Sequence, residues 1–173
     1  MRASVSLFKM VPFLVACWLI LPVQAAELEA ELFAAAREGK LAEVKQLILD
    51  GTQVDAVNPQ GRTPLMGAAF FGNHQVVELL LAEGANVAVT DKQGMTALML
   101  AAQSGNPELI LLLLANGAEA ATATASGMTA LSVAELRGND AVIEVLSSLK
   151  SEGQDEGAGA GAEKKAPEGE KKE

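Results

Sequence analysis

The segment GRTPLMGAAFFGNHQVVELLLAEGA, residues 61–85, decides the fold because much of the chain repeats its pattern. Glycine, threonine and leucine recur on both sides of it at a step of 33 residues. The columns are Gly61, Gly94 and Gly127; Thr63, Thr96 and Thr129; Leu65, Leu98 and Leu131; Gly39, Gly72, Gly105 and Gly138; and Leu47, Leu80, Leu113 and Leu146. Because several independent columns share one period, the sequence predicts four tandem structural units.

Each unit carries the start and stop signals of two short helices. Thr63 can cap the first helix through its hydroxyl, and Pro64 suits the first helical position, where its missing N–H costs nothing. Gly72 can end that helix in a left-handed conformation, and Asn73 can cap the next one. Gly84 then stops the second helix. The predicted unit is therefore helix, tight turn, helix and loop.

The second helix of the third unit contains an unbroken apolar run, residues 109–114. Asn106-Pro107 opens this helix. A helix that is apolar almost all round suits a position covered by neighbours on both sides. The run is too short to cross a bilayer, which needs about 20 residues. We expect it to form the centre of the core.

The motifs resemble those of ankyrin repeats. The resemblance rests on Gly61 to Met66, Gly94 to Met99, and the Leu-Leu-x-x-Gly-Ala motif at Leu80 to Ala85 and Leu113 to Ala118. It covers roughly Leu28 to Lys150 and implies an all-α, ankyrin-repeat solenoid of four helix-turn-helix units with β-hairpin finger loops. The units implied are residues 28–57, 58–90, 91–123 and 124–150.

The chain departs from the family pattern at two positions of the motif. The family usually has His after Thr-Pro-Leu, where it joins a polar network between repeats, but this chain has Met66, Met99 and Ser132. Ala97 and Ala130 replace Pro in two of the three motifs. We expect the fold to be kept and the polar network to be replaced by apolar packing.

Residues 1–26 are predicted to be a signal peptide. Arg2 and Lys9 supply positive charge, residues 10–23 are apolar, and Val23-Gln24-Ala25 has small residues at the cleavage spacing. A retained membrane helix is an alternative, but a run of 14 residues with two prolines is short for a span. A lipid anchor through Cys17 is another, although apolar residues follow that cysteine where a mature N-terminus should be polar.

The composition after cleavage excludes several kinds of chemistry. The exported chain would have no Cys, Trp or Tyr, which leaves no disulfide, thiol nucleophile or thiolate ligand. Loss of Arg2 and Lys9 would change the net charge from -9 to -11, so nucleic acid is not an expected partner. Residues 151–173 contain no Val, Leu, Ile or aromatic residue, and we predict a disordered tail there.

The sequence offers no constellation typical of catalysis, cofactor binding or metal binding. His74 is the single histidine. The chain therefore cannot form a metal site with two histidines, or more than one Ser-His or Cys-His pair. The glycines at 157–161 neither follow a strand nor open a helix, the context that a phosphate-binding loop requires. We predict a protein that is not an enzyme and that uses no cofactor.

The ankyrin resemblance implies that a protein partner docks on the finger tips and the first helix of each pair. Transferred residue by residue, this surface comprises Pro59, Gln60, Arg62, Phe70 and Phe71; Lys92, Gln93, Met95, Gln103 and Ser104; and Ser126, Met128, Leu136 and Arg137. Adjacent helical positions point about 100° apart, so at least one of Phe70 and Phe71 should meet solvent. The basic residues of this surface would favour an acidic patch on the partner.

These features together predict a periplasmic, non-enzymatic protein-binding module of a Gram-negative bacterium. It would assist, scaffold or regulate a partner protein, be a monomer when free, and have no membrane span once processed. The alternative is a secreted factor that acts on host or competitor proteins through the same surface. An enzyme is a third hypothesis, which needs a site that the sequence does not display.

Overall fold

The structure, a computed structural model, describes the backbone of residues 26–155 and the side chains up to residue 149. It contains eight helices within this range. They are α1 (26–38), α2 (Leu41–Leu49), α3 (Pro64–Phe71), α4 (His74–Ala82), α5 (Ala97–Ser104), α6 (Pro107–Ala115), α7 (Ala130–Arg137) and α8 (Asp140–Asp155). The described chain is all-α, as predicted.

The helices form four consecutive pairs that stack in two layers. In the first layer α3 packs on α5 and α5 on α7, and in the second α2, α4, α6 and α8 pack in succession. Within a unit, α3 packs on α4, α5 on α6 and α7 on α8. We call the odd-numbered helices inner and the even-numbered ones outer. This is the predicted solenoid of four helix-turn-helix units.

The inner helices begin and end as the sequence predicts. Thr63 Oγ1 accepts a hydrogen bond from Met66 N at 3.3 Å, and Thr96 and Thr129 cap α5 and α7 in the same way. Gly72 ends α3 with φ of 75°, a left-handed conformation that glycine adopts without a steric penalty from a Cβ. Because each of these helices has only eight residues, the caps serve a large share of its unpaired backbone groups.

The prediction that Asn73 caps its own helix is wrong. Its side chain makes no cap; instead Nδ2 donates to the carbonyl oxygens of Ala36 at 2.9 Å and Arg37 at 2.8 Å, at the end of α1 in the preceding unit. The last carbonyls of a helix lack partners within it, and the amide supplies one. Asn139 repeats this bond to Ala102 O at 2.7 Å, so an asparagine ties the fourth unit to the third as well.

Asn106, in the same column, behaves as predicted. Its side-chain oxygen accepts from Glu108 N at 3.0 Å and Leu109 N at 3.2 Å and so caps α6. Within the described chain, Asn106 makes no bond of this kind between the second and third units, whose loops are in contact beside the packing of their helices. Lys92 N donates to Gln60 O at 3.1 Å, and the side chains of Arg62 and Asp91 form an ion pair.

The core confirms the replacement of the family's polar network by apolar packing. Met66 and Met99 are fully buried. Ser132 instead completes a capping box with Thr129. The backbone N of Thr129 donates to the hydroxyl of Ser132 at 2.8 Å.

The apolar run of α6 lies between the neighbouring outer helices α4 and α8, as predicted. Leu109, Ile110 and Leu113 are fully buried, as expected of the core, but Leu111 is 52% exposed. This position stays in solvent although neighbours cover α6 on both sides, because an outer helix in a two-layer stack also has a face that points away from the inner layer.

The loops between units form turns rather than full hairpins. An isolated antiparallel bridge joins Thr90 and Thr96. The described residues contain no strand longer than this bridge. The predicted β-hairpin fingers are therefore not seen as strands. We call the loops 58–62, 91–95 and 124–128 fingers.

The two ends of the chain are described in part. The last helix, α8, continues to Asp155, so residues 151–155, which were predicted to belong to a disordered tail, are helical. Residues 1–25 of the predicted signal peptide and residues 156–173 of the predicted tail lie outside the described residues. Among the helices that are described, none has the length and hydropathy needed to cross a bilayer.

Candidate functional site

The predicted binding residues lie on the fingers and at the ends of α3, α5 and α7. All fourteen are at least partly exposed. The structure links several of them across units: Gln60 to Lys92, Arg62 to Gln93, and Gln103 to Arg137. We call this surface, together with the facing part of α1, the inner face.

An open groove of about 270 Å³ lies on the inner face between the first and second units. It is lined by Phe33, Arg37, Asn58, Gln60, Arg62, Met66, Gly67, Phe70 and Phe71. Four of the predicted binding residues are in this set, and the other ten lie outside the groove. Phe33, Arg37, Asn58, Met66 and Gly67 were not predicted.

The groove contains three aromatic residues, Phe33, Phe70 and Phe71, which are the only aromatic residues after position 26. Phe71 is 56% exposed, whereas Phe70 is half-buried against the core, which confirms that one of the pair meets solvent. Their rings meet edge to face, with centroids 4.9 Å apart and an interplanar angle of 79°. This is a favourable aromatic geometry, so Phe70 supports Phe71 in its exposed position.

Gly67 makes room for the groove. A Cβ at this position would lie 3.2 Å from the ring of Phe33 on the neighbouring helix, closer than most real contacts. The third and fourth units have Leu100 and Val133 in the same column, and both are buried. Glycine inside a helix lowers the stability of the helix by about 1 kcal/mol relative to alanine. At this position it leaves space for the ring of Phe33.

A short polar side chain folds each finger. Asn58 Oδ1 accepts from Gln60 N and from Arg62 N, both at 3.0 Å. Asp91 does the same for the second finger, and Thr124 Oγ1 accepts from Met128 N in the third. Such side-chain bonds to nearby backbone N–H groups stabilise tight turns, so the finger tips are held in a defined shape.

Arg62 braces the first finger against the second. Its Nε lies 2.9 Å from Oδ2 of Asp91, whose side chain is only 1% exposed, and its Nη2 donates to Gln93 Oε1 at 3.3 Å. Arg62 itself remains 33% exposed and lines the groove. It therefore has a structural role that the sequence did not reveal, beside its predicted place on the binding surface.

Arg137 joins the inner helices of the last two units. With its amide oxygen turned towards the guanidinium, Gln103 accepts a hydrogen bond from Arg137 Nε at 3.0 Å. Neither Arg137 nor Lys92 has a carboxylate within ion-pair distance in the part of the chain that the structure describes. Both cations are thus available on the inner face.

The described residues contain no group of three or more His, Cys, Asp or Glu side chains that could hold a metal ion. His74 is the first residue of α4 and is partly buried. The chemistry that the groove offers is that of recognition, with aromatic surface, arginine donors and the amides of Asn58 and Gln60.

Comparison with known proteins gives one result that bears on these features. The sequence model of a family described as ankyrin repeats, in three copies, matches residues 32–124 and residues 89–158. The two matches together span all four helix pairs except the first residues of α1. The search of curated proteins finds no match.

Proposed function

The chain belongs to the ankyrin-repeat family of protein-interaction modules, and we propose from this that a partner protein docks in the groove of its inner face. The proposal includes no catalytic step. The partner's bound segment would contact the first finger and the inner helices α1 and α3.

The clustering of all three aromatic residues at one groove is the observation that carries this proposal. Exposed aromatic side chains in a concave site supply much of the binding free energy at protein interfaces, because each buries a large apolar area at small entropic cost. Phe71 is exposed, held by Phe70, and placed beside donors that can orient a peptide. These are the properties of a binding hot spot.

We further propose that the protein is exported and works in the periplasm of a Gram-negative bacterium, where it assists, scaffolds or regulates its partner. Support comes from the N-terminal charge of Arg2 and Lys9, the apolar run that follows and the small residues at positions 23–25. The absence of cysteine after residue 17 suits a chain that must fold in an oxidising compartment without forming unwanted disulfides.

Affinity capture tests the docking surface. The full chain, expressed with its own N-terminal segment, is immobilised and exposed to periplasmic extract, and the retained proteins are identified. We expect a specific protein to be retained by the native chain and by Leu111→Ala, and to be released by Phe71→Ala. Leu111 is a matched control because it is almost equally exposed, at 52% against 56%, but lies on outer helix α6.

Two results would contradict the proposal. Retention of the same protein by Phe71→Ala would place the interface elsewhere, and capture of nothing by the native chain would argue against a periplasmic partner. Fractionation of cells and medium tests the location separately. Recovery of the processed chain from the medium would favour the alternative of a secreted factor.

A further inference from the structure

The groove differs in charge from the rest of the domain. Among residues 26–149 acidic side chains outnumber basic ones. The basic ones are Arg37, Lys40, Lys45, Arg62, Lys92 and Arg137. Two of these arginines line the groove, and none of its nine lining residues is acidic. Both charged side chains of the groove lining are therefore cationic, while their carboxylate partners, Asp91 and Glu38, lie outside the lining.

Half of the acidic residues at positions 58–149 lie on the outer helices, and the others lie in loops or, for Glu135, on α7. Glu78, Glu108 and Glu144 are exposed on α4, α6 and α8. The inner helices α3 and α5 have no charged residue at all. Helix α1 carries four glutamates, at positions 27, 29, 31 and 38, but none of them lines the groove. The charge of the groove lining therefore differs from that of the helix beside it.

Both groove arginines have donors free for a ligand. The guanidinium of Arg37 is half-exposed, and its contact with Glu38 is long, 3.8 Å between Nη2 and Oε1. Surface ion pairs of this kind contribute little to stability, so a ligand can replace this one at small cost. Asp91 and Gln93 use two of the five N–H donors of Arg62, which leaves the others for a ligand.

We infer that the partner presents an extended acidic segment in which an apolar side chain lies within a few residues of a carboxylate. The apolar side chain packs against Phe33, Phe70 and Phe71, and the carboxylate binds between Arg37 and Arg62. Arginine suits this role because its planar donor fork matches a carboxylate. The inference rests on the proposed function and specifies the chemistry of the partner.

The occupant is another chain rather than this protein's own C-terminal segment. Residues 151–173 contain glutamates but no Val, Leu, Ile or aromatic residue, so they offer no side chain that matches the aromatic surface. Lys92 and Arg137 continue the positive charge along the inner face beyond the groove. They favour a segment with further acidic residues on one side of the apolar anchor.

Selection from random peptides tests this chemistry without knowledge of the partner. Short random peptides displayed on phage are panned against the full chain, expressed with its own N-terminal segment, and Phe71→Ala is used for counter-selection. We expect the enriched sequences to combine Asp or Glu with a large apolar residue. Enrichment of basic or uncharged sequences, or no enrichment, would overturn the inference.

A matched pair of charge variants tests the arginine contact. Arg37→Gln should weaken binding of an enriched peptide about fivefold, the range of a single surface ion pair, and the loss should shrink at high salt. Lys45→Gln, which removes an exposed lysine of outer helix α2, should change affinity less than twofold. Equal affinity of Arg37→Gln and the native chain would overturn the carboxylate assignment.

The outcomes separate this inference from the proposed function. If panning fails or selects basic peptides while Phe71→Ala still releases a partner captured from extract, the groove binds protein but the acidic chemistry is wrong. If no captured protein depends on Phe71 but acidic peptides are selected and depend on Arg37, the chemistry stands and the proposed periplasmic partner falls.

Discussion

The junction between the first two units and the junction between the second and third are built from the same columns of residues but have different surfaces. At the first junction Phe33 faces Gly67, and a groove lined by three aromatic rings remains open. At the second, Met66 and Leu100 occupy the corresponding columns and are buried. In this repeat protein an open groove, the proposed recognition site, arises where one column departs from the residue that would fill it.

Leu100→Gly should have the largest effect, because it gives the second junction the glycine of the first without an aromatic ring to fill the space. Loss of a fully buried leucine and the low helix propensity of glycine together should lower the free energy of unfolding by about 4 kcal/mol. Urea denaturation followed by circular dichroism measures this. A loss below about 1 kcal/mol would mean that the junction repacks easily.

Gly67→Leu makes the opposite exchange and should close the groove. Its side chain would compete with the ring of Phe33, so we expect at least a tenfold loss of peptide affinity and a stability loss of about 1 to 2 kcal/mol. Gly67→Ala should give a smaller loss of both, since only a Cβ at 3.2 Å from the ring must be accommodated. Fluorescence anisotropy measures the affinities, and unchanged binding by Gly67→Leu would contradict the role given to Gly67.

Asp91→Asn tests the brace that joins the second and third units. Asn58 shows that an asparagine can still accept the two finger N–H bonds, so this variant isolates the ion pair with Arg62. We expect a loss of about 2 kcal/mol, less than for a fully buried pair because Arg62 is partly solvated. Asp55→Asn is the control, because Asp55 accepts from Asn86 N but forms no ion pair among the described residues, and it should change stability by less than about 0.5 kcal/mol.

Asn73→Ala should have the smallest effect and should act on the first junction alone. Loss of its two bonds to Ala36 and Arg37 should lower stability by about 1 kcal/mol and speed amide exchange in α1. Asn106→Ala removes a helix cap of similar value but no bond between units. Faster exchange of α1 in both variants would show that the amide of Asn73 does not tie the units together.

The repeat architecture could be predicted from the sequence because it depends on local chemistry. Thr63 caps its helix through a bond to a residue three positions away, and Gly72 needs only its own backbone freedom. The burial of Met66 and Met99 could also be predicted, because both occupy the same position of the repeat.

What could not be predicted depends on distances between units. Asn73 has an acceptor in the preceding unit that competes with its own helix, and sequence alone does not show which is closer. The exposure of Leu111 follows from its place in the outer layer. The groove was missed because it needs Phe33 and Gly67 from different units, although comparison of their columns would have pointed to it.

All nine residues that line the groove come from positions 33–71, and the helices pack chiefly with helices of their own or the adjacent unit. In such a stack, stability is a sum of local terms, and unfolding can spread from one end without melting the other. The proposed binding site is therefore far from the end at α8. Fraying or proteolytic trimming of the fourth unit should leave a chain that still recognises its ligand.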